Sequence, residues 1–368
     1  MDTTISKHYG WLKGRRVFVT GHTGFKGSWL SRWLIEAGAI VTGYSLPPES
    51  SPNLFKAASV ADGLTHLEAD LLDYNSLELA ISKANPEFVF HLAAQALVRR
   101  SYSEPHYTSM VNYVGTLNIL EILRNRNLPC VAVLVTTDKC YRNEEWEFGY
   151  RENDALGGKD PYSASKAAAE TVIGAYQHSY FQKTNVRAVS VRAGNVIGGG
   201  DWSEDRLVPD CMKTLFKGEP VSIRQPGAFR PWQHVLEALR GYLTAARWWD
   251  NAPEEVISDQ CYWNFNFGPK LDLNKSVGDL VEGLVKLVGG SWIDVSDPDQ
   301  PHEATRLYLS IDRAFHLLNW SPILNWEETL DFTVEWYKAH HLGASEEELQ
   351  SLMRSQISDF LNLAAKRE

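Results

Sequence analysis

Cysteine is scarce in this chain, and its spacing excludes more than its number does. The 368 residues hold four cysteines, Cys130, Cys140, Cys211 and Cys261. No two are paired as CxxC, so neither a zinc site nor a disulfide framework is signalled, and no metal is expected. They read as mostly buried thiols. Also missing is any run approaching the ~20 apolar residues that cross a bilayer. The polar stretch from Met1 to Gly10 lacks the apolar segment of a signal peptide. The expectation is a cytoplasmic protein with no membrane partner. Basic charge is not in excess either: the net charge is -10, which argues against nucleic acid as a partner. Any ligand carrying phosphate must then meet local arginines. There is no internal repeat and no low-complexity tract.

What is present is a large supply of core and ring residues, with 13 Trp and 15 Tyr suited to clefts and interfaces. The length exceeds what one hydrophobic core usually supports, which predicts two interlocked domains. Short β-branched and aromatic runs at 16–20, 39–44, 65–69, 88–92, 131–135 and 186–191 read as strands. Helical periodicity fills most of the gaps, at 25–37, 75–83, 107–124 and 161–181. Strands alternating with helices predict an α/β fold, a doubly wound parallel sheet of Rossmann type. After Gly194 the glycines and prolines of 198–231 break the pattern. A smaller, interleaved α+β domain is expected there, with 233–249 and 261–267 returning to the sheet and an amphipathic helix at 346–368. The expected division is 1–195, rejoined by about 233–268, for the nucleotide-binding domain. The remainder, 196–232 and 269–368, forms the substrate domain.

The run Gly21, His22, Thr23, Gly24, Phe25, Lys26 and Gly27 lies between a strand and a helix. There, glycines allow a tight turn and let backbone N–H groups approach a pyrophosphate at the helix N-terminus. The spacing is GxxGxxG. The acid that would hold an adenosine ribose 2′-OH is absent, because Tyr44-Ser45 occupies its place. No arginine follows to hold a 2′-phosphate, so NAD is favoured over NADP. Asp70, two residues past the third strand, is placed to reach an adenine amino group. His91-Leu-Ala-Ala-Gln95 ends the fourth strand where a dinucleotide would lie. Tyr162 and Lys166 are four apart and share one helix face. An ammonium beside a phenol favours the phenolate and makes it a usable base. Thr136-Thr137-Asp138-Lys139 ends the fifth strand, the edge at which such sheets bind ligands.

Taken together, these residues resemble the extended short-chain dehydrogenase/reductase family over nearly the whole chain. Supporting segments are Asp70-Leu71, Val111-Asn-Tyr-Val-Gly-Thr116, Arg192-Ala-Gly-Asn195, Arg230-Pro-Trp-Gln-His-Val235 and Trp263-Asn264. The resemblance implies cofactor contacts from the glycine turn, Asp70, Leu71, Ala93, Ala94, Gln95, Asn112, Thr136, Tyr162 and Lys166. For the substrate it implies Gln95, Asn195, Asn264 and the arginines Arg206, Arg230 and Arg306. Within the family, the glycine turn and Thr137-Asp138-Lys139 look like nucleotide-sugar 4,6-dehydratases, with CDP-glucose the favoured substrate. This implies a step toward the deoxysugars of bacterial surface polysaccharide (O-antigen, lipopolysaccharide). The implied catalytic set is Thr137, Asp138, Lys139, Tyr162 and Lys166. Lys139 is read equally well as the C5 base or as a residue orienting its neighbour. A 4-epimerase and a dehydratase for another nucleotide remain alternatives, as does a catalytically silent binding protein. Helices 107–124 and 161–181 often pair across a dimer in such relatives, which implies a homodimer or homotetramer.

Overall fold

The computed structural model describes residues 3–253, 264–270, 275–296 and 306–367. Cys261 and Trp263 lie outside the described residues; the three described cysteines are free and buried.

Seven parallel strands form the central sheet: β1 (Arg16–Thr20), β2 (Ile40–Ser45), β3 (Leu64–Glu68), β4 (Phe88–His91), β5 (Cys130–Val135), β6 (Val186–Ala193) and β7 (Asn264–Phe267). Their order is β7-β6-β5-β4-β1-β2-β3, with the reversal between β1 and β4 that marks a doubly wound sheet. The central strands read as unbroken apolar runs because both faces are covered. Val17 and Val19 of β1 enter one core while Phe18 enters the other. Val131, Val133 and Val135 of β5 divide from Ala132 and Leu134 in the same way. A side-chain period of two thus feeds two layers of helices.

The stretch at 107–124 is not one regular helix. An α-helical turn, Pro105–Ser109, runs into a π turn, Met110–Val114, and then into the helix Gly115–Arg126. Asn112 sits in the π turn, where its side chain donates to the Gln95 carbonyl at 3.0 Å and to Ser165 Oγ at 2.9 Å. The widened turn therefore aims an amide at two neighbouring segments, which a periodicity reading does not register. Three short ribbons follow β6. Val196–Ile197 pairs Gln233–His234, Phe229–Arg230 pairs Lys275–Ser276, and Val221–Ile223 pairs Trp292–Asp294. The helix Val235–Asp250 packs back on the sheet. The terminal helix Glu346–Arg367 lies against the helix Phe25–Glu36. Phe360 stacks edge-on against Trp33 at 6.1 Å, and Arg354 meets Glu36 at 2.9 Å.

Candidate active site

The glycine turn divides its labour by position. Gly21 takes φ +75°, and a Cβ there would sit 2.6 Å from the Ala93 nitrogen. Gly27 is tighter still: its Cβ would fall 2.0 Å from the Gly21 carbonyl oxygen. Gly24 is exposed, and its Cβ would meet nothing nearer than 3.4 Å. Two glycines close the turn and the third leaves its outer side open, at the N-terminus of the helix Phe25–Glu36. The side chains of His22 and Thr23 face inward. His22 covers Gly43, sits 2.6 Å from His66 Nδ1, and is held near pKa 4 by burial and by His66. Thr23 Oγ1 bonds Ser45 Oγ at 2.9 Å and the Leu46 carbonyl at 2.8 Å.

A substitution separates these roles. Gly27→Ala is expected to cost about 1–3 kcal/mol of stability, because a backbone carbonyl cannot yield as a flexible side chain can. Gly24→Ala should leave the unfolding midpoint unchanged and weaken dinucleotide binding alone. Thermal melts with an NAD titration check both, and an unshifted midpoint for Gly27→Ala would remove the argument.

Tyr162 stands in the first turn of the helix Pro161–Ser179, which Asp160 caps through the Ser163 N–H at 2.9 Å. Pro161 suits that first turn, since its missing N–H would be unpaired there anyway. The phenol thus lies near the positive end of a helix dipole, which favours its anion. Burial pushes it the other way, up to about 12, with the Arg206 charge and the nearby Thr137 hydroxyl opposing. Lys166, one turn on, is buried and donates to the Val135 carbonyl at 3.3 Å. Burial lowers its amine to about 8, with Glu170 and then Cys140 opposing.

Thr137 Oγ1 donates to Asp138 Oδ1 at 3.0 Å. The other oxygen, Oδ2, is buried without a hydrogen-bond partner among the described residues and presses on Gly194, where a Cβ would come within 2.0 Å. Burial raises the Asp138 carboxyl above its ordinary range, against the pull of Lys139 and Arg230. Burial lowers the Lys139 amine, with Asp138 and Asp160 opposing and the Arg206 and Arg230 charges reinforcing. Burial thus biases both neighbours toward their neutral forms, the carboxyl upward and the amine downward, an arrangement suited to general acid–base work. Lys26 feels Arg206, Lys166, Asp138 and Asp201 and is brought down to about 8, chiefly by burial. The glycine turn and the acid–base cluster are therefore neighbours.

Of the sequence candidates, the structure gathers Lys26, Thr137, Asp138, Lys139, Tyr162, Lys166, Arg206 and Arg230 into one electrostatic neighbourhood. Others are engaged elsewhere. Gln95 turns its amide to the Leu97 carbonyl at 3.1 Å and to Thr108 at 2.8 Å. Asn264 accepts from Arg313, and Arg306 reaches Glu147 at 3.8 Å. Asp70 accepts from the Leu72 N–H at 2.9 Å, and Leu71 packs over Gly115. Asn195, at φ +38°, turns the chain and accepts from the Gln233 N–H at 3.3 Å. Thr136 donates to Glu170, a fully buried carboxylate that also holds Arg192. Neither of those two was among the sequence candidates. The signal was available, because Tyr162, Lys166 and Glu170 recur at i, i+4 and i+8.

Residues 18–333 match the family model described as GDP-mannose 4,6 dehydratase. The CDP-glucose 4,6-dehydratase of Salmonella typhimurium is 42% identical over 363 residues, covering 96% of this chain and 98% of that protein. The mouse dTDP-D-glucose 4,6-dehydratase is 26% identical, covering 88% and 89%. Among solved structures, a Thermus thermophilus UDP-glucose 4-epimerase in complex with NAD superposes with a TM-score of 0.73 at 26% identity, covering 89% of this chain and 99% of that one. The chain is accordingly a member of the GDP-mannose 4,6 dehydratase family.

Proposed function

We propose that this chain is an NAD-dependent CDP-glucose 4,6-dehydratase, a hydro-lyase that converts CDP-D-glucose to CDP-4-dehydro-6-deoxy-D-glucose and water. Its likeness to the Salmonella typhimurium enzyme selects the nucleotide. The observation that carries the elimination is the Asp138 carboxyl, buried, with one oxygen unpartnered among the described residues, beside Lys139 and on the same site as Tyr162 and Lys166.

The residues fit NAD. The turn is closed at Gly21 and Gly27 and open at Gly24, and at the end of β2 the hydroxyls of Thr23 and Ser45 meet at the place where a cation would favour a 2′-phosphate. Bound there, NAD would supply the hydride chemistry, as acceptor for the C4 oxidation and donor for the reduction at C6. Tyr162, with Lys166 behind it, takes the proton of the C4 hydroxyl, and the Thr137 hydroxyl bonds the C4 oxygen. The C4 ketone acidifies the C5 hydrogen. Lys139 removes that proton, while Asp138 protonates the departing C6 hydroxyl so that it leaves as water. A proton from Lys139 then restores C5. Arg206 and Arg230 supply the positive charge that the diphosphate needs on a protein of net charge -10.

The substrate assignment is tested by incubation with NAD and, separately, CDP-, dTDP-, UDP- and GDP-glucose. A 4-keto-6-deoxy product from CDP-glucose is expected; CDP-galactose would replace the reading with an epimerase. The elimination should follow a bell-shaped pH profile. It rises as Lys139 loses its proton through its lowered value and falls as Asp138 loses its own through its raised value. A kcat profile flat across both limbs would count against this pairing.

Among the described residues, no helix is long and apolar enough to cross a membrane, which is compatible with action in the cytoplasm. Ala164, Thr171 and Ala175 lie on the exposed face of the helix Pro161–Ser179. That low face supports assembly as a homodimer or homotetramer, which sedimentation velocity would resolve.

A further inference from the structure

A buried ion pair that the reaction above does not use stands behind the Tyr162 helix. Glu170 and Arg192 are 0% and 1% exposed. They meet in a two-pronged contact, Nε to Oε1 at 2.9 Å and the terminal nitrogen to Oε2 at 2.7 Å. Removing two charges from water is costly enough that such a pair is weak evidence of stabilisation. Its partners indicate another use. Glu170 accepts from the Thr136 hydroxyl and from Ser190 Oγ at 2.8 Å. Arg192 donates to the Tyr141 hydroxyl at 2.6 Å and to the Glu152 carbonyl at 3.2 Å, and lies over the Tyr141 ring at 4.9 Å. Tyr141 in turn donates to Asn266 Oδ1 at 2.8 Å. Thr136 and Tyr141 are the two ends of the segment that carries Thr137, Asp138 and Lys139. Glu170 is also the foremost group favouring the charged form of Lys166, one helical turn away.

We propose, on the dehydratase reading above, that Glu170 and Arg192 form a positioning pair: together they pin both ends of the 136–141 segment against the Tyr162 helix, and Glu170 is the countercharge behind Lys166. The groups facing Lys166 are Glu170, Cys140, His91 and Lys26. Those facing Tyr162 are Arg206, Thr137, Asp138, Asp160 and Tyr242, and Lys166 follows one helical turn on along the same helix. Without Glu170, Lys166 loses its nearby anion and is neutral over more of the pH range. The Tyr162 phenolate then lacks its cation and forms only at higher pH.

The variant Glu170→Gln leaves Arg192 buried and unpaired and is prone to unfolding. The double variant Glu170→Gln/Arg192→Met removes both charges and is the decisive one. Its kcat at neutral pH should fall at least ~10-fold, with KM for the sugar within about threefold. The acid limb of the first hydride transfer, read in single turnover as formation of reduced nicotinamide, should move up by about one pH unit, a tenfold change at fixed pH. Glu170→Asp, which keeps the charge, should return the limb toward its wild-type position. A folded double variant whose kcat drops while the limb stays in place has lost only structure, and that result overturns the proposal; so does an unchanged kcat. The wild-type enzyme, assayed on the four nucleotide-glucoses, judges the substrate reading separately. If it accepts dTDP-glucose instead, the CDP assignment falls, and the variant comparison is run on the accepted sugar.

Discussion

Replacing Tyr162 by phenylalanine is expected to lower turnover by about 10²–10⁴-fold, the range supplied by a positioned proton acceptor. The ring stays where it is, buried in the first turn of its helix, so packing is unchanged and only the hydroxyl is lost. The cofactor cradle of Gly21, Gly24 and Gly27 belongs to another segment, so NAD affinity should remain within about threefold of wild type, less than 1 kcal/mol. Lys166 gives a useful contrast. Its substitution by Met should impair the same first step more modestly, because the phenol survives but forms its anion at higher pH. Stopped-flow absorbance at the reduced nicotinamide band, with product analysis, reads both. A Tyr162→Phe enzyme that still reduces NAD within tenfold of wild type would mean that another group takes the C4 proton. Concurrent loss of NAD binding would instead make Tyr162 a structural residue of the cofactor site.

Much of the architecture was legible because the physics that sets it is local. β1, β4 and β5 are apolar runs of four to six residues, with side chains alternating into two cores. The glycine turn is local in part: Gly27 is required by the Gly21 carbonyl and Gly21 by its positive φ, whereas the approach of Ala93 to Gly21 comes from the distant end of β4. Tyr162 and Lys166 are joined by helix periodicity. Asp138 and Lys139 stand out by adjacency at a strand end, but the shifts in their titration were not readable: these depend on burial beneath Gly194 and on the distant Arg206 and Arg230.

Non-local residues were harder. Gln95 and Asn112 look like ligand contacts in one dimension, yet their amides bind each other's segments: Asn112 Oδ1 accepts from the Gln95 N–H at 2.9 Å. Asn264 is engaged by Arg313, 49 positions away. Arg192 was noted only as the start of a motif, although its guanidinium bridges the helix that carries Glu170 and the turn that carries Tyr141. A glutamate inside a helix and an arginine inside a strand read as solvated charges until the fold covers both. The π turn at Met110–Val114 escaped for a related reason, since one extra residue in a turn alters hydrogen bonding without disturbing the apolar pattern.

Asp138→Asn is expected to divide the reaction in two. The amide is isosteric, so it fits under Gly194, keeps the acceptor for Thr137 Oγ1, and puts an NH₂ where Oδ2 now stands unpartnered. It cannot release a proton to the departing C6 hydroxyl. C4 oxidation, which depends on Tyr162 and Lys166, should proceed near its wild-type rate, while elimination slows by about 10²–10⁴-fold. Reduced cofactor then accumulates in a single turnover instead of passing transiently, and the sugar is trapped as a 4-ketone that still carries its C6 hydroxyl. Stability offers an independent sign. The folded carboxyl is raised above its ordinary 3.8, so its favourable contribution is complete below that value and is lost as pH rises through the raised one. The amide escapes that loss. The variant should therefore melt above wild type at neutral pH, with the gap closing as the pH is lowered toward the unfolded carboxyl range. Loss of the first hydride transfer along with elimination would mean that Asp138 acts by orienting Thr137 rather than as the acid. Product formation within about threefold of wild type, under 1 kcal/mol of barrier, would remove it from the chemistry altogether.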